Sequence, residues 1–168
     1  MVILGRELSS VLKAPFSKRH YIAAINSFSV YVYPIDAFGR YLLNHGNYPH
    51  TVLVKSKLGN IQLSVYSYHD MRTINEIFCR LDYLSDDTDK VFVDFGSNIG
   101  ISAAYFLTRS SNSHAYLFEP LGFNIERLRG NLKPFEDRYT LSEVAVGLSE
   151  GQVEFGWENT GRYGGVGM

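Results

Sequence analysis

The 168 residues are enough for one domain with a sizeable core, and 45% of them are hydrophobic, which is typical of a folded globular chain. Sixteen basic and seventeen acidic side chains leave a formal charge of −1, so no charge excess marks a surface for nucleic acid or for an anionic membrane. The single cysteine, Cys79, excludes an internal disulfide, and together with the lack of a signal-peptide pattern it predicts a cytoplasmic protein.

Residues 1–88 are predicted to form an α+β extension in front of the main sheet. Apolar residues at helical spacing mark its helices, and two alternating runs around a Gly-Asn turn mark a hairpin. The predicted elements are a helix over Arg6–Ala14, a helix over Asp36–Asn44 with Asp36 as its N-cap, a hairpin of Thr51–Lys57 and Ile61–Tyr66 joined by Leu58–Asn60, and a helix that begins after Asp70 or at a capping box of Thr73 and Glu76.

Residues 89–168 are predicted to alternate strands with helices, the pattern of an α/β fold with a parallel sheet and right-handed crossovers. The last residues are rich in glycine, and we expect them to fray. The predicted elements are strand Val91–Phe95, helix Ile99–Thr108, strand Ala115–Phe118, helix Phe123–Leu132, strand Tyr139–Val146, strand Gln152–Trp157 as part of a hairpin, and a frayed end at Arg162–Gly167.

The first two of these strands end in residues that suit a ligand, at the edge where a doubly wound sheet binds one. Val91–Phe95 runs into Gly-Ser-Asn-Ile-Gly, in which Gly96 and Gly100 allow close approach of the backbone, and the loop opens a helix whose N–H groups point outward. The second strand ends in Glu119, about twenty residues after the glycines, where a carboxylate can hold both hydroxyls of a ribose. These residues predict a nucleoside-cofactor site, with helix capping by Asp94 and Ser97 as the structural alternative.

The spacing of the glycines separates two possible cofactors. A dinucleotide site requires Gly-x-Gly-x-x-Gly, whereas this loop has Gly96 and Gly100 with no glycine between them. Asp94 at the entrance would repel a pyrophosphate, but it suits a cofactor with an ammonium and a sulfonium group. The pattern therefore favours S-adenosylmethionine over a nicotinamide dinucleotide.

The stretches VFVDFGSNIGISAAYF, AYLFEPLGFNIERLRGNL and SEVAVGLSEGQVEFGWEN, preceded by HDMRTINEIFCRLDY, resemble the FkbM family of S-adenosylmethionine-dependent methyltransferases over roughly residues 65–167. The resemblance implies a class I methyltransferase, Rossmann-like fold and O-methylation of a small molecule such as a sugar or a polyketide. It also implies roles for individual residues. Asp94, Gly96, Asn98 and Gly100, in the same loop as Ser97, would line the methionine end, Glu119 would take the ribose hydroxyls, and Pro120, Leu121 and Ala145 would lie on the adenine side.

The family pattern continues with a strand of the form Lys-Ile-Asp-x-Glu-Gly, and this chain ends at Met168 before it. We therefore expect an incomplete sheet in which the Val91–Phe95 edge is covered by a second copy, by the Thr51–Tyr66 hairpin or by the Gln152–Trp157 strand.

The resemblance implies that catalytic candidates of the family, among them a general base, lie in the part that this chain does not contain. The candidates within the chain are His69, Asp70 and Tyr163, and no histidine spacing indicates a metal. Two other functions stay open at this point: a nucleotide-linked oxidoreductase, and a truncated chain without catalysis that self-associates.

Overall fold

The computed structural model describes residues 2–3, 6–7, 18–149, 151–152, 155–157 and 164–166. The chain forms two compact units, Met1–Leu84 and Ser85–Met168. The boundary between them lies close to the predicted division after residue 88, whose assignment to two separate domains stays a prediction. Within the described residues, no helix combines the length and the apolar character that crossing a bilayer requires.

The described part of the first unit combines helices with a central hairpin. Alternate residues of the hairpin are buried, among them Val54, Leu63 and Val65, as the two-residue period of a strand requires. The elements are β1 Val2–Ile3, β2 Arg6–Glu7, α1 Lys18–Val30, α2 Pro34–Leu43, β3 His50–Ser56, β4 Gly59–Val65, and α3 Tyr68–Ile74, which continues as a π-helical turn over Asn75–Cys79.

Both helix caps predicted for this unit are wrong, because each helix begins before the acid that was expected to cap it. Tyr33 is the N-cap of α2, and Pro34 occupies its first turn, where a fixed φ favours the helix; Asp36 therefore lies inside the first turn. Ser67 is the N-cap of α3 and accepts a hydrogen bond from the backbone N–H of Asp70. The carboxylate of Asp70 accepts the N–H of Ser67 in return at 2.9 Å, which completes a capping box.

Other predicted boundaries in this unit also differ from the structure. The capping box lies at Ser67 rather than at Thr73, since α3 has already begun there. The hairpin turns at residues 57–58 instead of Leu58–Asn60, because Gly59 already pairs with Ser56. The predicted helix over Arg6–Ala14 is wrong at its start, where Arg6–Glu7 pairs antiparallel with β1, and residues 8–14 lie outside the described residues.

The second unit contains the predicted alternation of strands and helices. Strands β5, β6 and β7 are parallel and adjacent in chain order, which corresponds to strands 1, 2 and 3 in one half of a doubly wound sheet. Helix α4 is buried almost all round, as its apolar sequence predicts. The elements are β5 Val91–Phe95, α4 Ile101–Leu107, β6 His114–Phe118, α5 Gly122–Asn131, a 3₁₀ helix over Lys133–Arg138, β7 Tyr139–Ser142, β8 Phe155–Trp157 and β9 Gly164–Val166.

The end of the second unit departs from the sequence prediction. Strand β7 stops at Ser142, four residues before the predicted Val146, and residues 143–149 are exposed and irregular. Strand β8 lies within the predicted Gln152–Trp157 strand and pairs antiparallel with β9, a partner that the sequence did not predict. The expectation that the glycine-rich end frays is wrong for Gly164–Val166, which forms β9.

Among the described residues, one face of the parallel sheet is exposed and β5 is an outer strand of the sheet. On β5 the side chains of Val91, Val93 and Phe95 are 63%, 55% and 64% exposed, and among the described residues β5 pairs with β6 alone. The predicted cover by the Gln152–Trp157 strand is wrong for Phe155–Trp157, which pairs with β9 and not with β5. Cover by the Thr51–Tyr66 hairpin, which belongs to the first unit, stays a prediction. Cover by a second copy stays a prediction.

We expect the isolated chain to self-associate, since an apolar strand edge with unpaired backbone groups is a template for a further strand. Sedimentation velocity over a concentration series should show species larger than one chain. Val93→Lys, which places a charge on the open face, should shift the distribution toward the monomer, whereas Val144→Lys, at an exposed position outside the strands, should not. A wild-type chain that is monomeric at all concentrations would contradict this expectation.

Candidate functional site

The carboxyl ends of the three parallel strands lie level with one another. Phe95 pairs with Phe118, and Phe118 pairs with Ser142, so the segments that follow the strands leave the sheet at the same edge. The backbone N–H groups of Gly96 and Ser97 both donate to the carbonyl of Phe118, at 2.9 and 3.0 Å. The loop after β5 is therefore held across the end of β6, where a doubly wound sheet binds its ligand.

Ser97 holds the loop together from inside. Its side chain is 1% exposed; the hydroxyl donates to the carbonyl of Asp94 at 2.9 Å and accepts the N–H of Phe118 at 3.2 Å. The hydroxyl thus joins the two strand ends, and its role in the described structure is to shape the loop. The predicted contact of Ser97 with a cofactor stays a prediction.

The two glycines of the loop have different physical roles. Both have φ in the left-handed region, +80° for Gly96 and +82° for Gly100. A Cβ on Gly100 would lie 3.1 Å from Leu132 Cγ and 3.2 Å from Leu128 Cγ, so this glycine allows the loop to pack against α5. No described residue lies within 4 Å of a Cβ on Gly96, and so the space beside Gly96 is open to a ligand.

Alanine substitutions should separate these roles. Both changes carry the cost of a left-handed residue, about 1–2 kcal/mol, and Gly100→Ala should add an overpacking cost of roughly 1–3 kcal/mol. Urea unfolding should therefore place Gly100→Ala below Gly96→Ala in stability. Gly130→Ala, in the open on α5, is the matched control and should be neutral or stabilising. Equal losses at Gly96 and Gly100 would contradict the packing role.

Glu119 reaches from the end of β6 into the loop that follows β5. Its side chain is 4% exposed. Oε2 accepts the backbone N–H of Asn98 at 2.8 Å, and Oε1 accepts the backbone N–H of Leu121 and the Nδ2–H of Asn124, both at 3.1 Å. Asn98 has φ +48°, so this carboxylate stabilises a strained turn of the glycine loop. The sequence predicted that Glu119 faces this site, but not that three protein donors bind it.

Asp94 lies on the face of β5 that packs against α4. Its Oδ2 accepts a hydrogen bond from the hydroxyl of Ser102, in the first turn of that helix. Burial raises the pKa of Asp94, the Ser102 hydroxyl opposes that rise, and the negative charge of Glu119 adds to it. The two acids of the predicted site are therefore near enough to interact, as their places at adjacent strand ends predict.

The remaining predicted residues differ in how close they lie to the carboxyl ends of the parallel strands. Pro120 is half-buried between β6 and α5, and Ala145 is exposed in the irregular segment after β7. His69 and Asp70 belong to α3 in the first unit, where Oδ2 of Asp70 accepts the backbone N–H groups of Tyr66 and Ser67 at the helix start. Tyr163 lies outside the described residues. The structure thus gives Asp70 a local structural role, and a general base stays unassigned.

Sequence reasoning missed two residues of the site. Asn124 donates to Glu119 from the first turn of α5, and Ser102 donates to Asp94 from α4. Each stands one helical turn or less after the start of its helix, where a polar side chain reaches back toward the preceding strand end. A polar residue at that position is a sequence signal for a contact with the strand end, because polar side chains are otherwise disfavoured on buried helix faces.

A cavity of about 540 Å³ lies in the first unit, between the start of α2 and β3. Its walls are mainly apolar, and the acid among them has partners: Asp36 lies 3.2 Å from His50, in the same wall, and 3.1 Å from Arg40. The cavity therefore lacks the pair of acids, bound by neutral donors alone among the described residues, that distinguishes the strand-end site. We assign the candidate site by this chemistry rather than by volume.

Comparison with known proteins adds one partial likeness. No family model and no curated protein matches the chain. Among solved structures, the chain is similar to the precorrin-6y C5,15-methyltransferase of Geobacter metallireducens GS-15, with 26% identity over 36% of this chain and 32% of that chain, and a TM-score of 0.32. The chain thus spans about a third of the length of that methyltransferase. At this TM-score the likeness establishes neither fold nor activity, and membership of the FkbM family stays a prediction.

Proposed function

We propose that the second unit is the cofactor-binding half of an S-adenosylmethionine-dependent methyltransferase. One observation supports this most: the buried carboxylate of Glu119 extends from the end of β6 to the strained glycine loop after β5. An acid and a loop of this kind at adjacent strand ends suit the ribose and the methionine part of an adenosyl cofactor. When bound, that cofactor supplies an electrophilic methyl group.

The residues present fit such a cofactor in two respects. Gly96 faces open space, so a ligand can approach its backbone. Asp94 offers a carboxylate for the ammonium group, whereas the same charge opposes the pyrophosphate of a nicotinamide dinucleotide. The loop also lacks the middle glycine of the dinucleotide motif. These features favour the methyl donor over the oxidoreductase alternative.

Isothermal titration calorimetry with S-adenosylhomocysteine and with NADH tests the proposal. We expect the first ligand to bind and the second not to bind. Gly96→Val, which fills the open space beside the loop, should abolish binding of S-adenosylhomocysteine, and Gly130→Val, on the exposed part of α5, serves as the control. Binding of NADH alone would replace the proposal with the oxidoreductase, and binding of neither ligand would favour the non-catalytic chain.

We further propose a hydroxyl on a sugar or a polyketide-like molecule as the acceptor, which the resemblance to the FkbM family supports. Transfer to a hydroxyl requires in-line placement and a base that removes the proton. His69 and Tyr163 stay candidates for that base.

We also propose the cytoplasm as the location of the protein. The single cysteine, Cys79, is buried and forms no disulfide, which suits a reducing compartment.

A further inference from the structure

The cavity of the first unit lies where the pairing of a short segment with β3 stops. The segment just before α2 forms an antiparallel bridge with β3, and there the backbone N–H of Val32 donates to the carbonyl of Leu53 at 3.0 Å. In this register the next bond would join the N–H of residue 34 to the carbonyl of Thr51. Pro34 has no N–H, so the pairing cannot continue, and α2 begins at this proline. The cavity opens between the two diverging segments.

The backbone of Thr51 has an unused donor and an unused acceptor on this side of β3. Alternate residues of an antiparallel strand direct their N–H and C=O groups to the same side, and Leu53 directs its carbonyl away from β4, toward Val32. Thr51 lies two residues earlier on the strand and therefore has the same orientation. It also lines the cavity, and among the described residues no backbone group bonds to it from that side. The wall of the cavity thus offers a donor and an acceptor next to each other.

The rest of the cavity suits an uncharged, mainly apolar molecule. Its volume of about 540 Å³ is within the range of small-molecule sites, roughly 300–1,000 Å³. The acid in the wall, Asp36, already contacts His50 and Arg40, so it offers no uncompensated charge to an ionic ligand. The apolar part of the wall comes from both sides of the cavity and includes Val32, Pro34, Ile35, Val52 and Leu53.

We propose that this cavity binds a small, uncharged molecule that carries a hydrogen-bond acceptor and a donor on neighbouring atoms, as a lactam does. The acceptor of the ligand takes the N–H of Thr51, the donor of the ligand binds the carbonyl of Thr51, and the apolar part packs against the walls. A peptide strand pairs with several residues of a sheet edge, whereas here a single residue is unpaired, which favours a small molecule. The site belongs to the first unit, and the inference does not depend on the proposed cofactor.

Nuclear magnetic resonance titration of the full chain with oxindole, a lactam fused to an apolar ring, tests the inference. We expect the backbone amide signal of Thr51 to shift, together with those of Val32 and Leu53 in the same wall. N-methyloxindole lacks the donor and should bind at least about tenfold more weakly, because the carbonyl of Thr51 then loses its partner. Absence of oxindole binding at this wall, or equal affinities of the two probes, would overturn the inference.

Thr51→Pro removes the N–H that we assign to the ligand. The variant should keep the hairpin, because proline is tolerated where the N–H of an edge strand points away from its neighbour. It should bind oxindole at least about tenfold more weakly. Thr51→Val keeps the backbone N–H, changes only an exposed side chain and should stay within about threefold of the wild type.

If Thr51→Pro does not fold, the comparison of the two probes on the wild-type chain still decides. A folded Thr51→Pro variant that binds oxindole as tightly as the wild type would overturn the inference. The same holds if the Thr51 signal shifts with protein concentration in the absence of a probe, because a second copy of the chain would then occupy the edge of β3.

Discussion

Replacing Glu119 with alanine is expected to lower the free energy of unfolding by about 3–5 kcal/mol. The carboxylate is the acceptor for two backbone N–H groups and one side-chain amide, those of Asn98, Leu121 and Asn124. Each buried donor that loses its acceptor costs roughly 1–3 kcal/mol, and water that enters the vacated space offsets part of the sum. This loss is large for one substitution, because it removes a whole network of hydrogen bonds.

Urea unfolding followed by circular dichroism measures this loss. Glu126→Ala is the control, since Glu126 is an exposed acid on α5, the helix that follows Glu119, and its removal should change stability by less than about 0.5 kcal/mol. If Glu119→Ala unfolds within about 1 kcal/mol of the wild type, the three hydrogen bonds do not stabilise the loop, and a carboxylate held mainly for a ligand becomes the better account.

The same result changes how a binding experiment on Glu119 is read. From the sequence, loss of affinity in Glu119→Ala would be ascribed to the ribose hydroxyls alone. In the structure, the substitution also releases Asn98 and so loosens the loop that forms the rest of the site. Affinity therefore falls for two reasons, and the unfolding free energy of the same variant measures the second.

Most of the parallel sheet could be predicted from the sequence, because each strand of that sheet and each helix between its strands carries its own periodic signal. Val91–Phe95 is the predicted strand without change, and α5 differs from its predicted bounds by one residue at each end. The start of α3 could not be predicted in the same way. Ser67 and Asp70 are both good capping residues, and the choice between them depends on where β4 ends.

The contacts within the site were harder to predict than its position. The sequence places Glu119 after a strand and Gly96 after its neighbour, and parallel pairing brings the two together. The donors to Glu119 depend on two features of the tertiary structure. One is the path of the loop through Asn98, whose positive φ no sequence pattern indicates. The other is the side chain of Asn124, which reaches Glu119 from the first turn of α5. Tertiary geometry of this kind is outside the reach of local sequence signals.

Replacing Asp94 with asparagine is expected to stabilise the chain at neutral pH and to weaken binding of the cofactor. Burial raises the pKa of Asp94 above its ordinary value, so the folded state holds the proton more tightly than the unfolded state. The stability that Asp94 contributes is therefore complete at low pH. It is lost as the pH rises from the ordinary pKa of an aspartate through the raised pKa of Asp94. Asparagine has no charge to desolvate, and its amide oxygen still accepts the hydroxyl of Ser102.

Urea unfolding at several pH values from about 4 to 8 should show that the wild type loses this contribution as the pH rises, whereas Asp94→Asn does not. Ser102→Ala should have the opposite effect on stability at neutral pH. It removes the hydrogen bond that lowers the pKa of Asp94, and so it increases the stability that is lost as the pH rises. In calorimetry, Asp94→Asn should bind S-adenosylhomocysteine roughly 10–100-fold more weakly if the carboxylate accepts the ammonium group of the ligand. A variant that gains stability without losing affinity would show that the buried charge serves neither the fold nor the cofactor, and Asp94 would then leave the proposed site.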